Sequence, residues 1–326
     1  MVQEASPVQV TGIPYHRLML NPLYSWWRPV FGALLIIAGW VLATIIALLP
    51  AQILNPDAAG KVSWSTLLAT NVSLAALVPI CIIVYQRVNQ LPSGLLSSVR
   101  PGLRWRPLAW FAVIAFACEL GLLAFALLMP AELETELSGP ASDAAAVIVV
   151  TLLTSCFQAA GEEYLFRGYL MQALGTVTRT IWFPIITSAV LFTLAHGVWP
   201  WESPALFADR FAFGVIAGYL VIRTGGLEAG IAMHAANNVV TFVFAALTNS
   251  VSDSLQATDA PAALVIVDVF KFSVFGLIAL WLAKRQHLKT DADPAVLMPV
   301  SRPPGWPPAV PPGQAPGYGA ARPQDS

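Results

Sequence analysis

The chain has 326 residues, of which 57% are hydrophobic and only 11% charged, with a formal net charge of −1. A soluble domain carries about 25% charged residues, so an ordinary soluble globular protein is excluded, and so is a global field that would recruit nucleic acid. Cys81, Cys118 and Cys156 fall in apolar stretches at no metal-ligand spacing, which makes them small buried hydrophobes rather than disulfides or ligands.

Residues 1–28 are mixed, punctuated by proline, and end in Trp26-Trp27-Arg28. That reads as a cytoplasmic segment with an interfacial aromatic pair and a cationic flank. His16 within it reads as a surface residue. The first twenty residues are too polar for a secretory signal, so the first span acts as its own insertion signal. Eight apolar segments follow, at about 29–50, 64–86, 107–129, 145–167, 181–197, 205–223, 228–248 and 261–283. Each approaches the ~20 residues needed to cross a bilayer. The fold class is therefore all-α, a polytopic membrane helix bundle of about eight transmembrane helices over 29–284. Residues 285–326 turn polar and then proline-rich, which reads as a disordered cytoplasmic tail.

Loop charges set the orientation. Arg87, Arg100, Arg104 and Arg106 lie between spans two and three, and Lys284, Arg285 and Lys289 follow span eight. The alternate loops carry mostly acids: Asp57, Glu132, Glu134, Glu136, Glu202, Asp253 and Asp259. The positive-inside rule then places both termini in the cytoplasm, across the cell membrane.

Three polar groupings interrupt the apolar spans. The first is Glu162-Glu163-x-x-x-Arg167 in span four. Glu163 and Arg167 are four apart on one helical face, acid first, and can neutralise each other. Glu162 points about 100° away and has no partner at that range, so it needs an explanation. The second is Phe192-x-x-x-His196 in span five, and the third is His234-x-x-x-Asn238 in span seven. Each is costly in an apolar span unless all meet around one wet cavity. A carboxylate beside a histidine can deprotonate water, with or without a metal. A histidine and an asparagine amide can donate to an oxyanion. There is no H-E-x-x-H, no G-x-S-x-G and no cysteine beside a histidine, so soluble zincin, serine and cysteine mechanisms lack support. Other polar residues read more plainly. Asp268 and Lys271 can pair within span eight, Glu119 has no local partner, and Gly161, Gly168 and Gly175 suit close packing or a bend.

In this order and in a polytopic chain, the three motifs over 162–238 resemble the CPBP family. That family joins the CAAX prenyl proteases of the Rce1 type to bacterial Abi proteins of bacteriocin processing and immunity. The resemblance implies an eight-helix intramembrane protease acting on a peptide or membrane-protein substrate. It implies Glu162 as the water-activating base with His196 beside it, and His234 with Asn238 as the oxyanion hole. Glu163 belongs to the same catalytic set, with Arg167 and Phe192 as structural support. Zinc is the cofactor that the resemblance leaves open, with Glu162, His196 and His234 as its ligands if the mechanism is metal-dependent. The alternatives are a catalytically silent scaffold or immunity-type binder of the same fold, and a proton-coupled transporter. The apparent lack of repeats disfavours the transporter.

Helix counting raises one conflict. Straight, full spans hold His196, just before Trp199, away from Glu162 and His234. A shared site therefore requires a bend or a membrane-embedded connection between Gly161 and Pro184.

Overall fold

The computed structural model describes residues 12–54, 63–128, 140–251 and 262–297. Helices dominate, as the apolar runs require: α1 (Trp27–Leu54), α2 (Trp64–Ala75), α3 (Leu77–Arg87), α4 (Trp105–Leu128), α5 (Ala144–Glu163), α6 (Met171–Leu174), α7 (Trp182–Ala195), α8 (Pro204–Thr224), α9 (Glu228–Leu247) and α10 (Ala262–Arg285). A π-helical stretch, Tyr164–Leu170, joins α5 to α6. α2 and α3 together make one span, 64–87. It breaks at Ala76, where Pro79 has no N–H to offer the Ala75 carbonyl. Among the described residues, seven helical runs are long and apolar enough to cross a membrane; α7, of 14 residues, is shorter. The chain is an integral membrane helix bundle.

Helix α1 stands at the edge, against α2 and α3, with Leu34, Ile46 and Ile53 exposed along it as a lipid-facing helix requires. α5 and α9 form the centre, α5 packing on α2 and α9, and α4 covering α9. α7 and α8 form a hairpin that α10 covers from the α8 side. Gly161 lets α5 close on α2: a Cβ there would stand 1.9 Å from the Leu74 carbonyl oxygen. A Cβ at Gly175 would similarly meet the His16 carbonyl at 1.8 Å.

Both ends of the described chain lie on one side. Ile13–Pro14 pairs antiparallel with Asp291–Ala292, and Leu297 is buried. Residues 286–297 are thus packed rather than part of a free tail; 298–326 lie outside the described residues. Arg104 ties this end together. Its backbone N–H and guanidinium donate to Glu228 at 2.6–2.9 Å, and Nη2 also donates to the Thr224 carbonyl. One residue thereby joins the start of α4, the end of α8 and the first turn of α9. Gly225, at φ +73°, turns the chain between α8 and α9.

Two expectations for single residues differ from the structure. His16 is buried, and neither ring nitrogen has a hydrogen-bond partner. Of the cysteines only Cys81 is buried; Cys156 is exposed on α5. Glu119, without a local partner on α4, is met from another helix: Lys271 of α10 lies 3.1 Å away, between Glu119 and Asp268.

Candidate active site

The conflict in helix heights resolves through two local features. Span four does not end at 167; its helix continues through the π-helical stretch to Leu174. Glu162 therefore stands about 18 Å before the end of that run at an ordinary helical rise. Helix α7 begins beyond the following turn and spans only about 21 Å, against the ~30 Å of a bilayer core. His196, its C-cap, consequently lies at a depth similar to that of Glu162. The deviation expected between Gly161 and Pro184 takes the form of π turns followed by a short helix.

Glu162 Oε2 lies 3.7 Å from His234 Nε2 and 4.0 Å from His196 Nε2. These gaps are too long for direct hydrogen bonds. Glu162 Oε2 is buried without a hydrogen-bond partner. Its other oxygen, Oε1, accepts from Gln158 Nε2 at 2.6 Å. Gln158 also accepts from Asn238 Nδ2 at 2.8 Å, which brings Asn238 onto the same wall. The only sequence signal for Gln158 is its place one turn before Glu162, and it carries no charge to draw attention to it.

Glu163 is fully buried and serves two partners. Arg167 Nη1 donates to its Oε1 at 3.0 Å, and His234 Nδ1 approaches the same oxygen at 3.0 Å. Gly230 leaves room for this carboxylate, since a Cβ there would stand 2.7 Å from Glu163 Oε2. The Arg167 guanidinium stacks 4.1 Å above the Phe192 ring and 5.5 Å from that of Phe213. Phe192 and Phe213 also meet His234 edge-on. Phe192 thus holds Arg167 and both histidines in register. Phe213, on α8, carries as much of this packing and was not singled out in the sequence, where it looks like any other apolar span residue.

The hydrogen bonds settle both imidazole tautomers. A carboxylate can only accept, so neutral His234 carries its proton on Nδ1. His196 Nδ1 lies 2.8 Å from the Phe192 carbonyl, which also only accepts. Both Nε2 lone pairs therefore face the space that Glu162 Oε2 faces. Three acceptors converge there, and the side chain of His196, 32% exposed, forms the open side. Such a space is suited to a hydrogen-bond donor such as water.

Glu162, His196 and His234 have the chemistry of a zinc-binding set. A tetrahedral site with bonds of ~2.0–2.1 Å holds its ligands roughly 3.3 Å apart. The separations of 3.7 and 4.0 Å exceed that. Among the described residues no three His, Cys, Asp or Glu side chains stand at metal-holding spacing. The residues as arranged do not fit a metal.

This geometry can be set beside known proteins. Residues 144–240 match the Rce1-like family, described as type II CAAX prenyl endopeptidase Rce1-like. The Rce1-like match contains Gln158, Glu162, Glu163, Arg167, Phe192, His196, Phe213, His234 and Asn238, so every side chain described around Glu162 lies within it. The chain is also 32% identical over 154 residues to the uncharacterized protein YyaK of Bacillus subtilis (strain 168). That alignment covers 45% of this chain and 50% of YyaK, so the chain spans about half the length of that relative.

Proposed function

We propose that the protein is an intramembrane endopeptidase of the CAAX-protease kind, with Glu162 as its general base. The observation that carries this reading is the convergence of Glu162 Oε2 and the two Nε2 lone pairs on one space inside the Rce1-like region. A water there donates one hydrogen to Glu162 and the other to a histidine. Glu162 takes the proton as the water oxygen attacks the peptide carbonyl carbon, and the carbonyl π bond opens to an oxyanion. Asn238 donates one N–H to Gln158 and keeps a second for that oxyanion. His234 can donate there only as an imidazolium, which the Glu163 carboxylate at 3.0 Å would neutralise. The C–N bond then breaks, and Glu162 returns its proton to the leaving amine. No step runs through a metal.

The substrate is a peptide or a membrane-protein segment that reaches the site within the bilayer. A prenylated C-terminal peptide is one member of that class. The protein sits in the cell membrane with both termini cytoplasmic. The pairing of Ile13–Pro14 with Asp291–Ala292 supports an even number of crossings, and Arg100, Arg104, Lys284, Arg285 and Lys289 cluster near that end of the sequence segments. A silent scaffold of this fold would have no use for a desolvated, half-partnered Glu162. The test compares peptide termini in membranes carrying wild type with those carrying Glu162→Ala. New C-termini specific to wild type are expected; identical sets of termini would overturn the assignment.

A further inference from the structure

A second buried charge cluster lies outside the Rce1-like match. Lys271, on α10, is buried with Nζ 3.1 Å from Glu119 Oε2 of α4 and 2.8 Å from Asp268 Oδ1. Its third contact is the side-chain oxygen of Asn237 at 3.0 Å. From there a single file of amides runs to the candidate base. Asn237 Nδ2 donates to Asn238 Oδ1 at 3.3 Å, and Asn238 Nδ2 donates to Gln158 Oε1 at 2.8 Å. Gln158 Nε2 donates to Glu162 Oε1 at 2.6 Å.

The direction of this file is dictated by its ends. An ammonium has three donors and no acceptor, and a carboxylate only accepts. Each amide offers one oxygen and one NH₂. With Lys271 at one end, Asn237 must turn its oxygen toward the ammonium, which aims its NH₂ at Asn238. The same constraint passes through Asn238 to Gln158. Every amide then shows oxygen to the Lys271 side and nitrogen to the Glu162 side. Reversing the file would set a carbonyl against the carboxylate, and a buried acceptor facing an acceptor costs the desolvation of both. Ionic partners on two helices hold Lys271 in place, so this end of the file is fixed independently of the site.

We propose that Lys271 is a positioning residue for Glu162: its ammonium fixes the orientation of Asn237, Asn238 and Gln158 so that an N–H, never a carbonyl, meets the Glu162 carboxylate. The same ordering leaves the Asn238 NH₂ directed into the site. The role rests on Glu162 being the working carboxylate, as proposed above, but its test does not require turnover.

The test uses the full chain in lipid nanodiscs at pH 7. Infrared spectra of wild type minus Glu162→Gln isolate the bands of the Glu162 side chain. The same subtraction is made in the Asn237→Asp and Lys271→Arg backgrounds. Asn237→Asp keeps an acceptor for Lys271 but removes the donor toward Asn238. Asn238 and Gln158 must then turn over, and the Glu162 bands shift. Lys271→Arg keeps a donor-only cation, and the bands stay where they are in wild type. A folded Asn237→Asp variant with wild-type bands overturns the proposal, and so does Lys271→Arg with shifted ones. If Asn237→Asp fails to fold, Asn238→Asp, which keeps an acceptor for Asn237 and removes the donor toward Gln158, is read the same way. The spectra report on Glu162 whether or not it is the base. Absence of Glu162-dependent cleavage would instead sink the protease reading and leave this one standing.

Discussion

The adjacent carboxylates Glu162 and Glu163 should respond in opposite ways to the same change. Glu163→Gln removes the one charge that pairs with the fully buried Arg167 among the described residues. Breaking a buried ion pair from one side costs about 3–5 kcal/mol. Part of that is offset, because a glutamine oxygen still accepts from Arg167 and two aromatic rings still face the guanidinium. At roughly 2–4 °C per kcal/mol for domains approaching this size, the melting temperature should fall by roughly 10 °C. His234 loses its Nδ1 acceptor charge in the same step, so activity falls too. Glu162→Gln has no ion pair at contact distance to break. Its amide oxygen can still accept from Gln158, and a buried charge disappears. Its melting temperature should stay within about 2 °C of wild type or rise, while activity is abolished. The assay is thermal unfolding in detergent, followed by labelling of the buried Cys81 thiol. A Glu162→Gln variant that melts early beside a Glu163→Gln variant that melts normally would refute this division of labour.

Three further outcomes are expected. Gly161→Ala should destabilise by about 1–3 kcal/mol, because its Cβ collides with the Leu74 carbonyl, whereas Gly121→Ala, with nothing within 4 Å, should be neutral or stabilising by up to ~1 kcal/mol; melting curves of the two variants decide. Burial, with Arg17 alongside, pushes the His16 imidazole from 6.5 down to about 4, so between those pH values the unfolded chain binds a proton that the folded chain refuses. Stability should therefore fall as pH drops through that window, by at most about 3 kcal/mol, and His16→Phe should flatten the dependence in melting scans from pH 7 to pH 4.5. Cysteines introduced at Ala58 and Ser252 should label from outside the cell; inner-face labelling at either would overturn the orientation.

Much of the bundle was legible because an apolar run near twenty residues has few alternatives in a chain this poor in charge. The boundary of span four was not. Arg167 and Gly168 look like a helix end, yet Arg167 is neutralised within the fold by Glu163 and stacked on Phe192, so the helix continues to Leu174. That error created the apparent mismatch in height between Glu162 and His196. The pairing of Glu163 with Arg167 followed from i,i+4 spacing, but its second bond, to His234, joins residues 71 apart and has no local signal. Gln158 has a local signal and was passed over because a glutamine in a span carries no charge to explain. Spacing in the sequence pairs Lys271 with Asp268 alone. Its contacts with Glu119 and Asn237 depend on how α4, α9 and α10 pack, which no periodicity encodes. His16 reads as a surface residue in a polar segment, and it is buried because Gly175 admits its backbone against the end of α6.

In the proposed reaction Glu162 and His196 act as one catalytic unit on a peptide bond. Its most direct measurement is quantitative profiling of protein termini in membranes carrying wild type, Glu162→Ala, His196→Ala and the double variant at matched expression. Groups that act as a unit are not additive. Each single change is expected to remove the same set of new C-termini, and the double change little more. Termini that persist in Glu162→Ala, or a double variant whose loss is the product of the two single losses, would contradict it.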